Sequence, residues 1–487
     1  MTGYRRPLFF AAVRVYAAAL ITVLSTMIIA RLLRPEEIGV YTIAAGLMGL
    51  VSVFRDLGIS NYLVREPSLD AGHIGTCYVI TLAASWLLAF CFAAIAPFAA
   101  DFYGAPGLRE VLLILALNLL IIPMNSIRLA LLRREQRFDI LLYIDLSGAC
   151  AYNVVALVLA WQGASYMALA WGTFAALLVG VLATSVAWHG RPRIRLAWGP
   201  WREVMSFGGY ATGASIITTL QANLPEMIVG KAMGLHHAAI LSRAQGLLRA
   251  RRLLVIGAVD SVIYAVTAQK HRDGEALAAD YLRISRYVSA VAWPFFGCLG
   301  LLAYPLVRVL FGPNWDEAAA LLEIIALNGL AMPFYSFNAS FLTAIGAIRT
   351  HFFIQLAALP LKTGAWCLTS WFDLRVAAMA FVLAHGLHVA LSIGVVGRRL
   401  DFGPRALLVA VAPSVPLALA ACAVPAWLHV AGLRSTWGDV PVLAAGLTGA
   451  AIFWLACAFL TGHPIKDEIV LGARRLIRTS RAPVTNP

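Results

Sequence analysis

Hydrophobic runs of roughly 20 residues recur along the whole chain, separated by short polar segments. The runs are continuous rather than alternating, which favours helices, and each is long enough to cross the ~30 Å hydrocarbon core of a bilayer. The pattern predicts an all-α polytopic membrane protein with about fourteen transmembrane helices. They lie at approximately residues 8–30, 38–63, 74–99, 109–132, 139–161, 164–188, 207–230, 236–267, 284–310, 318–345, 350–371, 375–396, 405–429 and 440–461.

Composition supports the same class. Of the 487 residues, 61% are hydrophobic and 13% charged, and the mean hydropathy is +0.80, values that exclude a soluble protein. The first run is too long for a cleaved signal peptide and contains Arg14, so we expect a retained helix.

Lysine and arginine are concentrated in alternate loops, which predicts that these loops are cytoplasmic. Both termini then lie inside, and the number of spans is even. The net charge of +14 is therefore a topology signal, and no nucleic-acid partner is expected. The richer loops include Arg65, Arg133, Arg134, Arg191, Arg272, Arg349, Arg398 and the arginines of the tail.

The sequence repeats itself at an offset of about 200 residues. Residues 116–126 read ALNLLIIPMNS, and residues 326–336 read ALNGLAMPFYS. The triplet FYG, ending at Gly104, corresponds to LFG, ending at Gly312, and a weaker match pairs residues 29–47 with 229–247. About six spans fit in one copy, so both copies have the same orientation, as in transporters built from parallel repeats.

The repeat predicts two pseudo-symmetric six-helix lobes, at residues 1–190 and 207–398. An interfacial linker, 191–206, joins them. Helices 13 and 14 follow within 399–462, and a basic cytoplasmic tail occupies 463–487.

Several cations interrupt the hydrophobic runs. An arginine that faces lipid at mid-bilayer costs at least ~2.5–3.5 kcal/mol, so such residues normally face a bundle interior or a hydrated cavity. Interior cations indicate a protein that handles an anion. Helical phase groups polar residues on shared faces with these cations, for example Asn118 and Asn125 with Arg128 on the fourth span and Gln355 with Lys362 on the eleventh. These polar residues are Asn118, Asn125, Asp145, Gln221, Asn223, Asp260 and Gln355.

Each of these polar or charged residues could instead have a purely structural role. Arg243, Arg249, Arg251 and Arg252 could extend partly toward an interface, and lone asparagines or glutamines often form interhelical hydrogen bonds. His236 and His237, at the approximate start of the eighth span, are assigned to the loop that precedes it. The seven cysteines lack metal-site spacing, and the sequence contains no nucleotide-binding or metal-ligand motif. We therefore expect no cofactor, no metal and no catalytic residues.

Four segments carry a resemblance to a known family. They are ARLLRPEEIGVYTIAAGLMGLVSVFRDLGIS, LSRAQGLL, FGPNWDEAAALLEIIALNGL and AIGAIR. Together they resemble the polysaccharide transporters (Wzx-type lipid-linked oligosaccharide flippases) of the multidrug/oligosaccharidyl-lipid/polysaccharide (MOP, MATE-like) exporter superfamily. The similarity covers most of residues 15–350 and fades in the last four spans. The resemblance implies two six-helix lobes in a V around a central cavity, plus two C-terminal helices.

It also implies translocation of undecaprenyl-diphosphate-linked oligosaccharide units across the bacterial inner membrane by alternating access. The product would be exopolysaccharide, capsule or the O-antigen of lipopolysaccharide. Expected partners are membrane lipids, a polysaccharide polymerase and glycosyltransferases. The cations expected to bind the diphosphate or acidic sugars are Arg14, Arg128, Arg249, Arg252 and Lys362.

Two alternatives remain from the sequence. A membrane polysaccharide polymerase or glycosyltransferase requires an external catalytic motif, for which Glu36 and Glu37 are the candidates, although they fit a turn and helix start. A MATE-like efflux antiporter for cationic drugs fits the predominantly positive interior charge poorly.

Overall fold

The fold is taken from a computed structural model of the chain, which describes residues 21–56, 59–66, 69–188, 209–251 and 259–471. Across these residues the secondary structure is helical. The α-helices of the first half are α1 (Ile21–Leu32), α2 (Pro35–Asp56), α3 (Ile59–Arg65), α4 (Ala71–Tyr103), α5 (Pro106–Ile121), α6 (Pro123–Arg134), α7 (Phe138–Trp161), α8 (Met167–Ala187), α9 (Gly209–Ala232) and α10 (Leu235–Arg251).

The second half begins after a stretch, 252–258, that lies outside the described residues. Its α-helices are α11 (Val259–Arg272), α12 (Ala278–Leu301), α13 (Ala303–Phe311), α14 (Asp316–Ala326), α15 (Asn338–Ala344), α16 (Ile348–Thr369), α17 (Leu374–Leu400), α18 (Pro404–Val411), α19 (Val415–Val430), α20 (Arg434–Trp437) and α21 (Asp439–Leu460). Short 3-10 segments lie at Pro313–Trp315, Leu327–Phe334 and Ala412–Ser414.

The ends of α4 show how local sequence sets helix limits. Asp70 precedes the helix with extended backbone, and its side chain accepts a hydrogen bond from the backbone N–H of His73, satisfying one of the orphan donors of the first turn. This bond holds the pKa of the Asp70 carboxyl below its ordinary value. Gly104 ends the helix at φ +63°, a conformation that glycine adopts without strain.

Eight helical segments in the described part of the chain are long and apolar enough to span a membrane, and ten are if each bent pair counts as one span. The bent pairs are α5–α6, at 53°, and α12–α13, at 73°. The polytopic, all-helical class predicted from hydropathy is therefore confirmed at this level. The expected fourteen spans include segments outside the described residues and segments divided into shorter helices.

One compact unit comprises residues 1–246, 311–315 and 348–377. Within it α7 packs on α8, α4 on α5, and α9 on both α2 and α16. One apolar core of this unit includes Ile43, Ala96, Leu108 and Leu112. Small residues let the backbones approach closely: a Cβ at Gly39 of α2 would lie 2.1 Å from the carbonyl oxygen of Leu235.

The other compact unit comprises residues 247–310, 316–347 and 378–487. Here α12 packs against α18, α19 and the 3-10 segment Leu327–Phe334, and α19 packs on α21. At one end the guanidinium of Arg434 stacks 3.4 Å from the centroid of the Tyr304 ring. At the other end His463 and Ser289 both contact Ser414. These contacts attach the segment from Ser414 to His463, which contains α19 to α21, to α12 and α13 of the same unit.

In each unit the repeated sequence motif receives the same kind of hydrogen bond, from a tryptophan side chain to a backbone carbonyl before a proline. Proline lacks an N–H and its ring disrupts the preceding turn, so carbonyls about one turn earlier lose helical donors. In one unit the indole N–H of Trp86 donates to the carbonyl of Leu120, three residues before Pro123, at 3.3 Å. In the other unit Trp293 donates to Leu330, three residues before Pro333, at 3.0 Å.

Candidate functional site

A polar cluster joins α9 to α16, as helical phase on each predicted span suggests. The ammonium of Lys362 donates to Oε1 of Gln221 at 3.2 Å. The Gln221 amide in turn donates to the backbone carbonyl of Gln355 at 3.0 Å and lies 3.4 Å from its side-chain oxygen. All three side chains are half-buried. The structure therefore brings together one predicted cation and two predicted polar residues.

A second predicted face, on α5 and α6, meets a single partner helix, α8. The buried amide of Asn118 donates to the Thr173 hydroxyl at 3.2 Å. The guanidinium of Arg128 donates to the Ser185 hydroxyl at 2.8 Å. Asn125, which lies between Asn118 and Arg128 in the sequence, is also buried. These are interhelical hydrogen bonds of the kind that small polar residues form in membranes.

The remaining predicted residues are more dispersed. Asn223 donates to the Thr219 carbonyl of its own helix at 2.9 Å, and its amide packs against Gly49. Asp145 is half-buried in α7, and Arg249 is exposed near the end of α10. Arg14 and Arg252 lie outside the described residues, as does the side chain of Asp260.

Arg243 is a cation that sequence reasoning grouped with residues extending to an interface. The structure instead places its guanidinium 5.9 Å from the Phe311 ring centroid and 5.4 Å from that of Trp315. Trp315 is itself anchored by donating to the carbonyl of Ala30 at 2.9 Å. The buried Glu226 interacts electrostatically with Arg243. This charge is compensated within the fold, which fits a structural role.

The paired histidines also differ from expectation. His236 and His237 lie in the first turn of α10 rather than in a loop, because Gly234 adopts φ +95° and a new helix starts immediately after it. His236 Nδ1 lies 2.8 Å from Oε1 of Glu36, at the start of α2. The two acidic residues do begin a helix, as the sequence indicates.

Chemically, the arrangement suits binding better than catalysis. The contacts described above involve an ammonium that donates to an amide oxygen and a guanidinium that donates to a hydroxyl, and both acceptors are uncharged. Ammonium and guanidinium groups bind phosphate or carboxylate oxygens through charge-assisted hydrogen bonds. Among the described residues, no group of three or more His, Cys, Asp or Glu side chains is placed to hold a metal ion.

Solved structures share this fold. A lipid II flippase, MurJ, in an inward closed conformation superposes with a TM-score of 0.71 at 12% identity, covering 93% of this chain and 99% of that one. A multidrug resistance MATE family transporter of the MOP superfamily, in an inward-facing conformation, gives a TM-score of 0.67 at 15% identity over 80% of this chain and 98% of that one.

The sequence relatives are named as biosynthesis or transport proteins. The amylovoran biosynthesis protein AmsL of Erwinia amylovora is 24% identical over 62% of this chain and 78% of its own length. The succinoglycan biosynthesis transport protein ExoT of Rhizobium meliloti is 22% identical over 69% and 68%. A putative O-antigen transporter of Shigella flexneri is 26% identical over 68% and 81%.

The fold is that of an all-helical, multi-pass membrane protein. The profile of the polysaccharide biosynthesis protein family matches residues 28–320, which is more than half of the chain. The chain belongs to this polysaccharide biosynthesis family, which confirms the resemblance found in the sequence.

Proposed function

We propose that this protein is a flippase for lipid-linked oligosaccharides and moves them across the bacterial inner membrane by alternating access. Family membership and the relatives' names support the substrate class. The finer assignment is to undecaprenyl-diphosphate-linked repeat units for exopolysaccharide, capsule or O-antigen. Both termini lie in the cytoplasm, as the loop charges predict.

The observation that carries the proposal is the Lys362 ammonium, held among amide groups between α9 and α16, two helices that the hydrophobic runs predict to cross the membrane. Burial in a helix pair strengthens its attraction for an anion relative to water. Gln221, its partner in this hydrogen bond, is neutral and positions the ammonium. The diphosphate, or an acidic sugar, is the part of the substrate that such a group recognises.

The same role is proposed for the other predicted cations. Arg128 presents a guanidinium fork beside Ser185, and Arg249 is exposed at its position on α10. For Arg14 and Arg252 the proposal rests on the sequence. The neutral groups predicted with them supply hydrogen-bond partners for sugar hydroxyls.

Reconstituted vesicles with a lipid-linked oligosaccharide in one leaflet test the proposal. A charged hydrogen bond contributes about 1.5–3 kcal/mol, so Lys362→Met should slow flipping about ten- to hundredfold. Lys362→Arg should retain most activity because the charge remains. Lys466→Met, beyond the last span, is the matched control and should leave the rate unchanged.

Arg14→Ala and Arg249→Ala should also impair flipping while leaving membrane insertion intact. Full activity in both, together with full activity of Lys362→Met, would remove the anion-binding proposal. In cells, a deletion strain should accumulate lipid-linked units in the cytoplasmic leaflet. Accumulation of single units at the periplasmic face would indicate a polymerase, and altered drug susceptibility alone would indicate an antiporter.

A further inference from the structure

Glu36 and His236 occupy equivalent positions in the sequence repeat. They are 200 residues apart, which is the offset that aligns residues 29–47 with 229–247. The first copy carries two carboxylates here, Glu36 and Glu37, where the second carries two imidazoles, His236 and His237. Each pair lies in the first turn of its helix, α2 or α10.

These equivalent residues touch one another. His236 Nδ1 and Glu36 Oε1 are 2.8 Å apart. When two copies are related by a rotation axis, equivalent residues meet only where both lie close to that axis. For copies related by the axis that the repeat predicts, this contact lies close to that axis, and it places a carboxylate against an imidazole where identical residues would place like groups.

A tight seam lies directly below this pair. Gly39, one turn into α2, faces the Leu235 carbonyl with no room for a Cβ, and a Cβ at Gly230 would lie 2.5 Å from the Ile43 side chain. The Tyr103 hydroxyl donates to the carbonyl of Met227 at 3.3 Å. The seam joins the two repeat copies at the helix ends that the loop charges predict to be periplasmic.

We propose that the Glu36–His236 pair is a proton-sensitive lock that holds this periplasmic seam closed. The proposal rests on the alternating access of the proposed function, in which this seam opens to release the oligosaccharide. Imidazole titrates in the physiological range. A proton on the imidazole makes the 2.8 Å contact with Glu36 an ion pair and favours closure, whereas a neutral ring leaves a weaker lock.

Neighbouring charges do not replace either partner. Glu37 accepts a hydrogen bond from the backbone N–H of Arg34 at 2.7 Å, and Arg34 also interacts with Glu36. His237 lies against the Met233 carbonyl at 2.9 Å. The ammonium of Lys231, at the end of α9, donates to the carbonyl of Phe102 and lies 4.2 Å from the centre of its ring. Arg31 is a further cation near this end.

Labelling of a cysteine below the seam tests the lock without substrate. Gly46 is buried and faces only the flexible end of Met227, at 3.4 Å, so Gly46→Cys is tolerated. A membrane-impermeant maleimide is added outside, and the chain without this substitution gives the baseline for the native thiols. The labelling rate is expressed relative to that of a small free thiol at the same pH, because the maleimide reacts with the thiolate and slows for every thiol as the pH falls. The partners are 59% and 31% exposed, so the pair acts weakly, and this relative labelling rate should be about two- to fivefold lower at pH 5.5 than at pH 8.

His236→Asn and Glu36→Gln should each make the labelling rate independent of pH over this range. The exchanged pair, Glu36→His with His236→Glu, should restore the dependence. A second test needs no new cysteine. Hydrogen exchange at the Ala238 amide is measured in the native chain and in His236→Asn at each pH, and the native chain should gain protection relative to the variant at pH 5.5.

An unchanged pH dependence in His236→Asn, or none in the native pair by both methods, overturns the lock. Loss of flipping activity is a separate result. If labelling follows the prediction while vesicles show no oligosaccharide transport, the lock stands and the proposed substrate fails.

Discussion

The indole N–H of Trp293 donates to the backbone carbonyl of Leu330 at 3.0 Å, one turn before Pro333. Trp86 makes the corresponding bond to Leu120, one turn before Pro123. In each case a tryptophan from a neighbouring helix supplies a donor at a break in the helical ladder. The break in the first copy is a 53° bend, and in the second it is a 3-10 segment. The repeat thus preserves a way of stabilising interrupted helices in lipid, where unpaired carbonyls are costly.

Trp293→Phe should lower the free energy of unfolding by about 0.5–1.5 kcal/mol, since it removes one hydrogen bond at nearly constant apolar volume. Trp161→Phe is the control, because Trp161 is 82% exposed at the end of α7. Reversible unfolding in mixed micelles measures both variants. Equal stability of the two would show that the indole bond contributes nothing.

Gly39→Ala and Gly46→Ala form a matched pair on α2. The added methyl at position 39 meets a backbone carbonyl at 2.1 Å, which cannot move aside, whereas at position 46 it meets a flexible methionine side chain at 3.4 Å. We expect Gly39→Ala to destabilise by about 1–3 kcal/mol and Gly46→Ala by much less. Thermal denaturation of the purified variants ranks them, and the reverse order would contradict the close approach of α2 to Leu235.

Acid should loosen the segment that follows the last span. Burial, with a smaller contribution from Arg286, lowers the pKa of His463 from its ordinary 6.5. Its Nδ1 accepts the backbone N–H of Ile465 at 3.1 Å, so the neutral ring fits the fold. A lowered pKa contributes stability above pH about 6.5 that is lost as the pH falls toward the folded value.

Hydrogen exchange at the Ile465 amide, referenced to His463→Gln at each pH, measures this effect. The native chain should lose protection relative to the variant between pH 7 and 5. A constant ratio across that range would mean that His463 does not titrate in this contact.

The Arg128–Ser185 bond separates a structural from a binding role. Ser185→Ala should cost about 0.6 kcal/mol, the typical value for an interhelical hydrogen bond in a membrane, and leave flipping nearly unchanged. Arg128→Met should slow flipping about tenfold or more by removing the charge, and Arg128→Lys should recover part of it. If Ser185→Ala and Arg128→Met impair flipping equally, Arg128 acts through packing alone.

Much of the architecture was readable from hydropathy because lipid imposes a simple rule. A chain that crosses a bilayer must satisfy its backbone internally, so long apolar runs become helices. Helical phase likewise predicted that Gln355 and Lys362 share a face, and both contact Gln221 in the structure. The motif around Pro123 and Pro333 was visible as repeated letters.

Other features required the packed structure. Phase gives the direction of a side chain on its own helix but not the partner opposite, so the Thr173 and Ser185 contacts of α8 were not predictable. Arg243 looked like its neighbours in sequence, yet its guanidinium packs near the Phe311 and Trp315 rings, which follow it by about 70 residues. The offset of 200 residues could have paired Glu36 with His236, but their contact depended on the close approach of α2 to α10.

The sequence by itself determined a helical, multi-pass membrane protein, because hydrophobic length acts locally along the chain, and it predicted a duplicated plan with cations inside the spans. Only the tertiary structure distinguished the described cations by the side chains that surround them. That distinction depends on side chains brought together from distant helices, where a carboxylate, a ring or an amide at a few ångströms sets the electrostatic environment.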